Sequence, residues 1–165
     1  MTGRPEVRLS MPARAEAIGV VRQALAGMAD ALAIDPAVLA DMKMAVTEAC
    51  TNVVVHAYAA GDGLRAPAVG DGPLEVELLT DEAALTVAVR DHGSGLDAPG
   101  GKAALGLGLP LIAALSDEFE VRAAGDGDGD GGTEVRMRFL YTREADPAEI
   151  HPIGETGWEP PVSSG

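Results

Sequence analysis

Residues 48–58, EACTNVVVHAY, constrain the fold more than any other segment of the chain. They lie in a predicted helix that begins at Pro36, directly after a capping aspartate, and runs to about Tyr58. Glu48 and Asn52 are one helical turn apart and therefore share one face of this helix. The apolar stripe on the neighbouring face, expected to enter the core, comprises Leu39, Met42, Ala45 or Val46, Ala49 and Val53.

A strand and a further helix are predicted on the N-terminal side. Val7 and Leu9 alternate with polar residues over residues 6–10, which is typical of a half-buried strand. Pro12 is expected to open the helix, because proline is favoured in a first helical turn. Its apolar positions recur at steps of three and four residues: Ile18, Val21, Leu25, Met28 and Leu32.

Downstream, residues 74–80 and 85–90 read as two strands joined by a Thr-Asp-Glu turn, which predicts an antiparallel hairpin. The later elements expected are a helix over residues 110–115 and strands over 119–123 and 134–141. The order β-α-α-β-β-loop-α-β-β predicts an α/β fold: a two-layer sandwich with a mixed, mostly antiparallel sheet and helices on one face.

Composition narrows the classes of function. The chain has 12 Lys and Arg residues and 26 Asp and Glu residues, which gives a net charge of -14. This charge argues against a protein that binds nucleic acid or anionic lipid through a basic patch. A single cysteine excludes an internal disulfide and a cysteine-based zinc site. No apolar signal core or apolar run of about 18 residues is present, so we expect a cytoplasmic protein without a membrane segment.

The C-terminal segment differs in composition from the rest. Residues 144–165 contain five acidic residues, no Lys or Arg and four prolines. Such a composition cannot bury enough apolar surface to offset the entropy of ordering. We therefore expect one ordered domain over residues 1–143, followed by a disordered acidic tail.

Three familiar glycine patterns do not fit the sequence. A phosphate-binding P-loop is excluded because Leu96 and Ala103 replace its first glycine and its hydroxyl residue. A dinucleotide fingerprint fails at Ala98, where glycine is required. The Asp-Gly run 126–131 copies half of a calcium loop, but the twelfth position is Met137 rather than glutamate. We interpret the run as a solvated turn, and a calcium-responsive role as the disfavoured alternative.

Separated segments instead form one chemical constellation. An asparagine oxygen suits Mg²⁺, and a carboxylate one turn earlier suits a general base. An aspartate at a strand end, followed by glycines, can accept a hydrogen bond from an exocyclic amine. Glycines that enter a helix leave N–H groups for phosphate oxygens. The segments are EACTN at 48–52, DHGSG at 91–95, GLGL at 106–109 and GT at 132–133.

At these residues the sequence resembles the Bergerat-fold (GHKL) ATPases, and among them the anti-sigma factor serine kinases. The shared pattern is E-A-x-x-N-x-x-x-H-A-Y, then D-x-G-x-G, G-x-G-L and G-T, and the resemblance spans residues 6–141. It implies ATP and Mg²⁺ as cofactors. It also implies transfer of the ATP γ-phosphate to a serine of an anti-anti-sigma factor, sequestration of a sigma factor, and a homodimer. The alternative is a non-catalytic, nucleotide-dependent module that sequesters a partner.

The resemblance also implies roles for individual residues. Glu48 corresponds to the catalytic base, and Asn52 to the Mg²⁺ ligand in the nucleotide site. Asp91 corresponds to the carboxylate that recognises adenine, in a pocket shaped by two glycines, and Thr133 to the threonine that supports it through a water. The residues that correspond to the adenine-pocket glycines and to the end of the ATP lid are Gly93, Gly95, Gly106, Leu107, Gly108 and Leu109.

Overall fold

The computed structural model describes four parts of the chain: residues 6–58, 72–93, 108–124 and 131–141. The predictions that fall outside these parts concern three residues of the glycine motifs and two acidic segments: Gly95, Gly106, Leu107, 125–130 and 144–165. Those predictions, and the domain limit at residue 143, remain predictions.

The described elements follow the predicted order. They are β1 (Val7–Pro12), α1 (Ala15–Ala31), α2 (Pro36–Asn52), a π-helical turn (Val53–Ala57), β2 (Pro73–Thr80), β3 (Ala84–Arg90), α3 (Gly108–Leu115), β4 (Glu118–Ala123) and β5 (Thr133–Leu140). The strands form one sheet in the order β1-β2-β3-β5-β4, and all four pairings are antiparallel. The predicted α/β sandwich with its β2–β3 hairpin is confirmed, and β3 is the central strand. The sheet, predicted to be mixed and mostly antiparallel, is antiparallel at every pairing among the described residues.

The expected start of α1 at Pro12 is wrong. Pro12 is the last residue of β1, where it pairs with Pro73, and α1 begins at Ala15. β1 is an edge strand, which tolerates a residue without an N–H group. The backbone N–H of Ala13 donates to the carbonyl of Gly72 at 2.9 Å. The strand pairing thus continues beyond the proline and delays the helix.

α1 ends in a turn that contains one left-handed residue and is closed by two backbone hydrogen bonds. The N–H of Ile34 donates to the carbonyl of Ala29 at 2.9 Å, and the N–H of Ala33 donates to that of Asp30 at 3.2 Å. This pair of bonds is the Schellman motif, which normally places glycine at the left-handed position. Here Ala33 occupies that position, with a φ of 52°.

α2 is capped as predicted but changes its winding near the end. The Asp35 side chain accepts the backbone N–H of Ala37 at 2.7 Å, and Pro36 is the first helical residue. The α-helix ends at Asn52 and continues as the π-helical turn of residues 53–57. The predicted helix to Tyr58 is therefore continuous in length but wider over its last turn, a feature often found at functional sites.

Both helices bury aliphatic faces against the sheet. The buried residues of α1 are Ala17, Val21, Leu25 and Ala29, while the predicted Ile18, Met28 and Leu32 are partly buried at its flanks. The buried residues of α2 and its π-helical turn are Met42, Ala45, Val46, Ala49, Cys50 and Val53, while the predicted Leu39 is partly buried. Within the described residues, no helix has the length and apolar character needed to cross a membrane.

Cys50, the single cysteine of the chain, lies in the centre of this core. Its side chain has no exposed surface, and burial raises the pKa of its thiol to about 12. Since the thiolate is the reactive form, the thiol is chemically inert at neutral pH.

The two faces of the sheet differ sharply in chemistry. Strand residues toward the helices are apolar, as in Val76, Val87 and Met137. Because side chains alternate along a strand, Glu77 and Glu134 lie on the opposite face, where both are buried by arginines. Arg90 pairs with both glutamates. Further ion pairs of this charged face join Arg8 to Glu77 and both Arg122 and Arg136 to Glu134.

Candidate functional site

The entrance of α3 lies against the Glu48–Asn52 face of α2. Both side chains are half-buried, and Gly108, the first residue of α3, is buried beside them. A Cβ atom built on Gly108 would overlap the Glu48 carboxylate and lie 3.1 Å from Asn52 Nδ2. The structure thus brings Gly108 against two side chains that lie 60 and 56 positions earlier in the sequence, and a side chain at position 108 would have to displace the Glu48 carboxylate.

Asn52 carries a polar atom without a partner. Its Nδ2 is buried, and no hydrogen bond reaches it from the described residues. Such a donor is costly to bury, at about 1–3 kcal/mol, unless a ligand satisfies it. The side-chain amide combines an NH₂ donor group with an acceptor oxygen, so it fits a magnesium–phosphate ligand, which has acceptor oxygens and a cation that prefers oxygen.

Asp91 directly follows the central strand and is held by main-chain bonds. Its Oδ1 accepts the backbone N–H of Gly93 at 2.9 Å and that of Thr133 at 3.3 Å. Its own N–H donates to the Thr133 carbonyl at 3.0 Å. Burial raises the pKa of the Asp91 carboxyl, while these N–H groups and the Thr133 hydroxyl oppose that rise. The carboxylate is therefore fixed in place, and Thr133 contacts it directly through its main chain.

Two glycines allow the backbone around Asp91 to close. A Cβ atom on Gly93 would overlap the carbonyl oxygen of Ala57. Gly132 has a φ of +140°, and a Cβ atom there would overlap the carbonyl oxygen of Asp91. At Gly132 both the conformation and the space exclude other residues. The sequence motif marked Gly132 only as the neighbour of Thr133.

Tyr58 is a residue whose role the sequence reasoning missed. Its hydroxyl donates to the Pro73 carbonyl at 2.5 Å and accepts the backbone N–H of His92 at 3.0 Å. It therefore connects the end of the π-helical turn to β2 and to the residue after Asp91. The signal available was its place at the end of the quoted segment 48–58.

Of the remaining predicted site residues that the structure describes, Leu109 is partly buried and packs against the core. The structure thus groups Glu48, Asn52 and Gly108 at the α2–α3 contact. The second group, at the end of β3, contains Asp91, Gly93 and Thr133. Because Ala57 contacts Gly93, the chain that follows α2 links the two groups.

Comparison with known proteins identifies relatives. A family model described as a histidine kinase-like ATPase domain matches residues 11–139. The serine-protein kinase RsbW of Bacillus pumilus is 33% identical over 153 residues, which cover 84% of this chain and 87% of that protein. RsbW of Halalkalibacterium halodurans is 33% identical over 135 residues, which cover 72% of this chain and 77% of that protein.

Solved structures show the same fold. The structure of the RsbU and RsbW domains of Rv1364c from Mycobacterium tuberculosis has a TM-score of 0.60 at 23% identity. The match covers 85% of this chain and 33% of that longer chain. The SiaB-SiaC complex from Pseudomonas aeruginosa has a TM-score of 0.56 at 16% identity, and the match covers 84% of this chain and 91% of that chain. At these identities the likeness shows the fold alone.

Proposed function

This chain belongs to the histidine kinase-like ATPase domain family and is similar to the RsbW serine-protein kinases, and on that premise we propose that it is an ATP-binding anti-sigma factor with serine protein kinase activity. It transfers the γ-phosphate of ATP to a serine of an anti-anti-sigma factor and otherwise sequesters a sigma factor. The sigma factor as partner implies a cytoplasmic location, and the family resemblance favours a homodimer. The kinase domain is proposed to span residues 1–143.

The observation that carries this proposal is the contact of Gly108 with Glu48 and Asn52. It puts a carboxylate, an unpartnered amide and the N–H groups of a helix entrance at one place. Helix entrances favour anions, and here the anion would be the ATP phosphates. A carboxylate beside bound phosphates is suited to remove a proton from an incoming hydroxyl.

Asp91 supports recognition of the base. Since both backbone N–H groups bond to Oδ1, Oδ2 would accept the exocyclic amine of adenine. Gly93 lets the backbone approach the base closely, and Thr133 holds the carboxylate. Gly95, Gly106, Leu107 and Leu109 are proposed to complete the nucleotide site.

The transfer step follows from the chemistry of Glu48. Its carboxylate accepts the proton of the acceptor serine while the serine oxygen attacks the γ-phosphorus. The new P–O bond forms as the bond to the β–γ bridging oxygen breaks, and ADP leaves with that electron pair. Asn52 would hold Mg²⁺ through Oδ1 and donate from Nδ2 to a phosphate oxygen; the cation, when bound, neutralises phosphate charge.

The nucleotide site is tested by calorimetric titration of Mg·ATP into the wild-type protein and Asp91→Asn. We expect the wild type to bind and the variant to lose about 10- to 100-fold in affinity, because the amide presents a wrong donor to adenine. The free energy of unfolding of Asp91→Asn at pH 7 should be no lower than that of the wild type, since burial of the ionised carboxylate is unfavourable. No binding by the wild type would refute the nucleotide site.

Phosphotransfer is tested separately with Glu48→Gln. A serine-bearing anti-anti-sigma partner is incubated with protein and Mg·ATP, and its mass is measured. We expect the partner to gain one phosphoryl group with the wild type, and the variant to be slower by about 10²- to 10⁴-fold while binding Mg·ATP nearly as well. Binding without transfer by the wild type would support the non-catalytic module instead.

A further inference from the structure

The hydroxyl of Tyr58 uses both of its hydrogen-bonding capacities on main-chain groups. It donates to the carbonyl of Pro73 at 2.5 Å and accepts the N–H of His92 at 3.0 Å. Pro73 begins β2, and His92 directly follows the proposed adenine-binding Asp91. A single side chain therefore joins the end of the α2 extension to the start of β2 and to the chain just after β3.

The ring of Tyr58 is as closely fitted as its hydroxyl. A Cβ atom built on Gly72 would overlap the ring, so the backbone at Gly72 lies directly against it. The segment after Asp91 is also held from other directions: Gly93 abuts the Ala57 carbonyl, and Thr133 bonds to Asp91 from β5. The bond from Tyr58 adds a fixed point on His92, between these two.

We propose that Tyr58 is a positioning residue of the nucleotide site, whose hydroxyl fixes the chain after β3 so that the Asp91 carboxylate meets the base. This inference rests on the proposed function. A hydrogen bond to the exocyclic amine requires a donor–acceptor distance near 2.9 Å. Releasing the His92 N–H lets the following chain shift and lengthens that bond. Because His92 is about half exposed, water can replace the lost partner, and the effect on folding is smaller than the effect on binding.

The test compares Tyr58→Phe with Tyr141→Phe, which alter the two tyrosines of the chain. Both hydroxyls donate to a backbone carbonyl, that of Tyr141 to Asp81 at 3.1 Å. Asp81 follows the other end of β2, roughly 25 Å from Pro73 at the usual rise per strand residue. Each substitution removes one hydroxyl and keeps the ring.

Affinities for Mg·ATP and Mg·GTP are measured by calorimetry, and exchange of the His92 amide is followed in the nucleotide-free protein. We expect Tyr58→Phe to weaken ATP binding about tenfold and to reduce the preference for ATP over GTP, since the lost contact positions the base-reading group. The His92 amide should exchange faster. Tyr141→Phe should stay within about twofold of the wild type in all three measurements.

Gly72→Ala provides a second route to the same result. This substitution displaces the Tyr58 ring and keeps its hydroxyl, so it should also weaken ATP binding. The test requires that at least one of the two variants, Tyr58→Phe or Gly72→Ala, is folded. Unchanged ATP affinity, or equal losses for ATP and GTP, would overturn the positioning role. A wild type that binds no nucleotide would overturn the proposed function. If the His92 amide still exchanges faster in Tyr58→Phe, Tyr58 is then a structural bridge rather than a positioning residue.

Discussion

Gly108 is the glycine of the site that lies directly against the two predicted functional side chains of α2, Glu48 and Asn52. A Cβ atom there would lie 2.9 Å from Glu48 Cγ as well as overlapping its carboxylate oxygen. Glu48 and Asn52 are half-buried, and their neighbours on α2, Ala49 and Val53, belong to the core. A side chain at position 108 therefore displaces the Glu48 side chain or moves α3 away from α2.

We predict that Gly108→Ala lowers the affinity for Mg·ATP by about 100-fold, because misplacement of a binding group by about 1 Å has effects of that size. It should also destabilise the fold by about 2 kcal/mol through overpacking. Calorimetry and denaturant unfolding measure the two effects. In a Glu48→Ala background the loss of stability should largely disappear, since the clashing atoms are gone.

Gly27→Ala is the matched control for that substitution. Gly27 lies in α1, and a Cβ atom there meets nothing within 4 Å. The alanine should raise stability by about 1 kcal/mol through its helix propensity and leave nucleotide affinity unchanged. An equal fall in ATP affinity at both positions would contradict the specific role of the Gly108 contact.

Motif spacing predicted Glu48, Asn52 and Asp91 because each belongs to a local pattern tied to a chemical task. The same spacing could not predict the Tyr58–His92 bond, which joins residues 34 positions apart. It also could not predict that Gly132 packs on the Asp91 carbonyl, because that contact depends on the pairing of β3 with β5. Local patterns identify functional groups, whereas tertiary contacts determine how those groups are held.

At the level of elements, the turn after α1 contains an avoidable strain. Ala33 occupies the left-handed position of the Schellman motif, where a Cβ atom clashes with the backbone. We predict that Ala33→Gly stabilises the protein by about 0.5–1 kcal/mol, measured by denaturant unfolding. Ala26→Gly, inside the same helix, should destabilise by about 1 kcal/mol. Loss of stability at both positions would show that Ala33 is not strained.

Element order was predictable because apolar periodicity and turn residues agree along the chain. The boundaries of the elements were less predictable than their order. Pro12 favours a helix start locally, but the pairing of β1 with β2 extends through it. The π-helical turn after Asn52 has no signature in the run of valines, and its last residue, Ala57, packs against Gly93. At Pro12, strand pairing thus overrides the local preference for a helix start.

At the scale of the whole molecule, the sheet separates an aliphatic core from a charged face. Glu134 is the centre of that face, with Arg90, Arg122 and Arg136 around it. Burial acts to raise the pKa of the Glu134 carboxyl, but the bond to Arg90 and the other arginine charges outweigh it, so the pKa lies below its ordinary value of 4.5. Its ionised form therefore contributes stability above pH 4.5, and that contribution is lost as the pH falls through the lower folded-state pKa.

We predict that Glu134→Gln destabilises the protein at pH 7 by about 1–3 kcal/mol, because three arginines lose their common partner. The free energy of unfolding of the variant should also fall less than that of the wild type when the pH is lowered from 7 toward 3. Urea unfolding over a pH series measures both effects. Glu120→Gln, an exposed neighbour on β4, serves as control and should change neither. Parallel pH curves for Glu134→Gln and the wild type would contradict this assignment.

The enclosure of Cys50 has a practical consequence for labelling. The chain has one native thiol, and that thiol is shielded from solvent and held in its unreactive form. A cysteine introduced at an exposed position such as Gln23 or Glu120 would therefore be the sole attachment point for a maleimide dye or a spin label. Distances and binding events can thus be recorded spectroscopically without first removing a cysteine from the core.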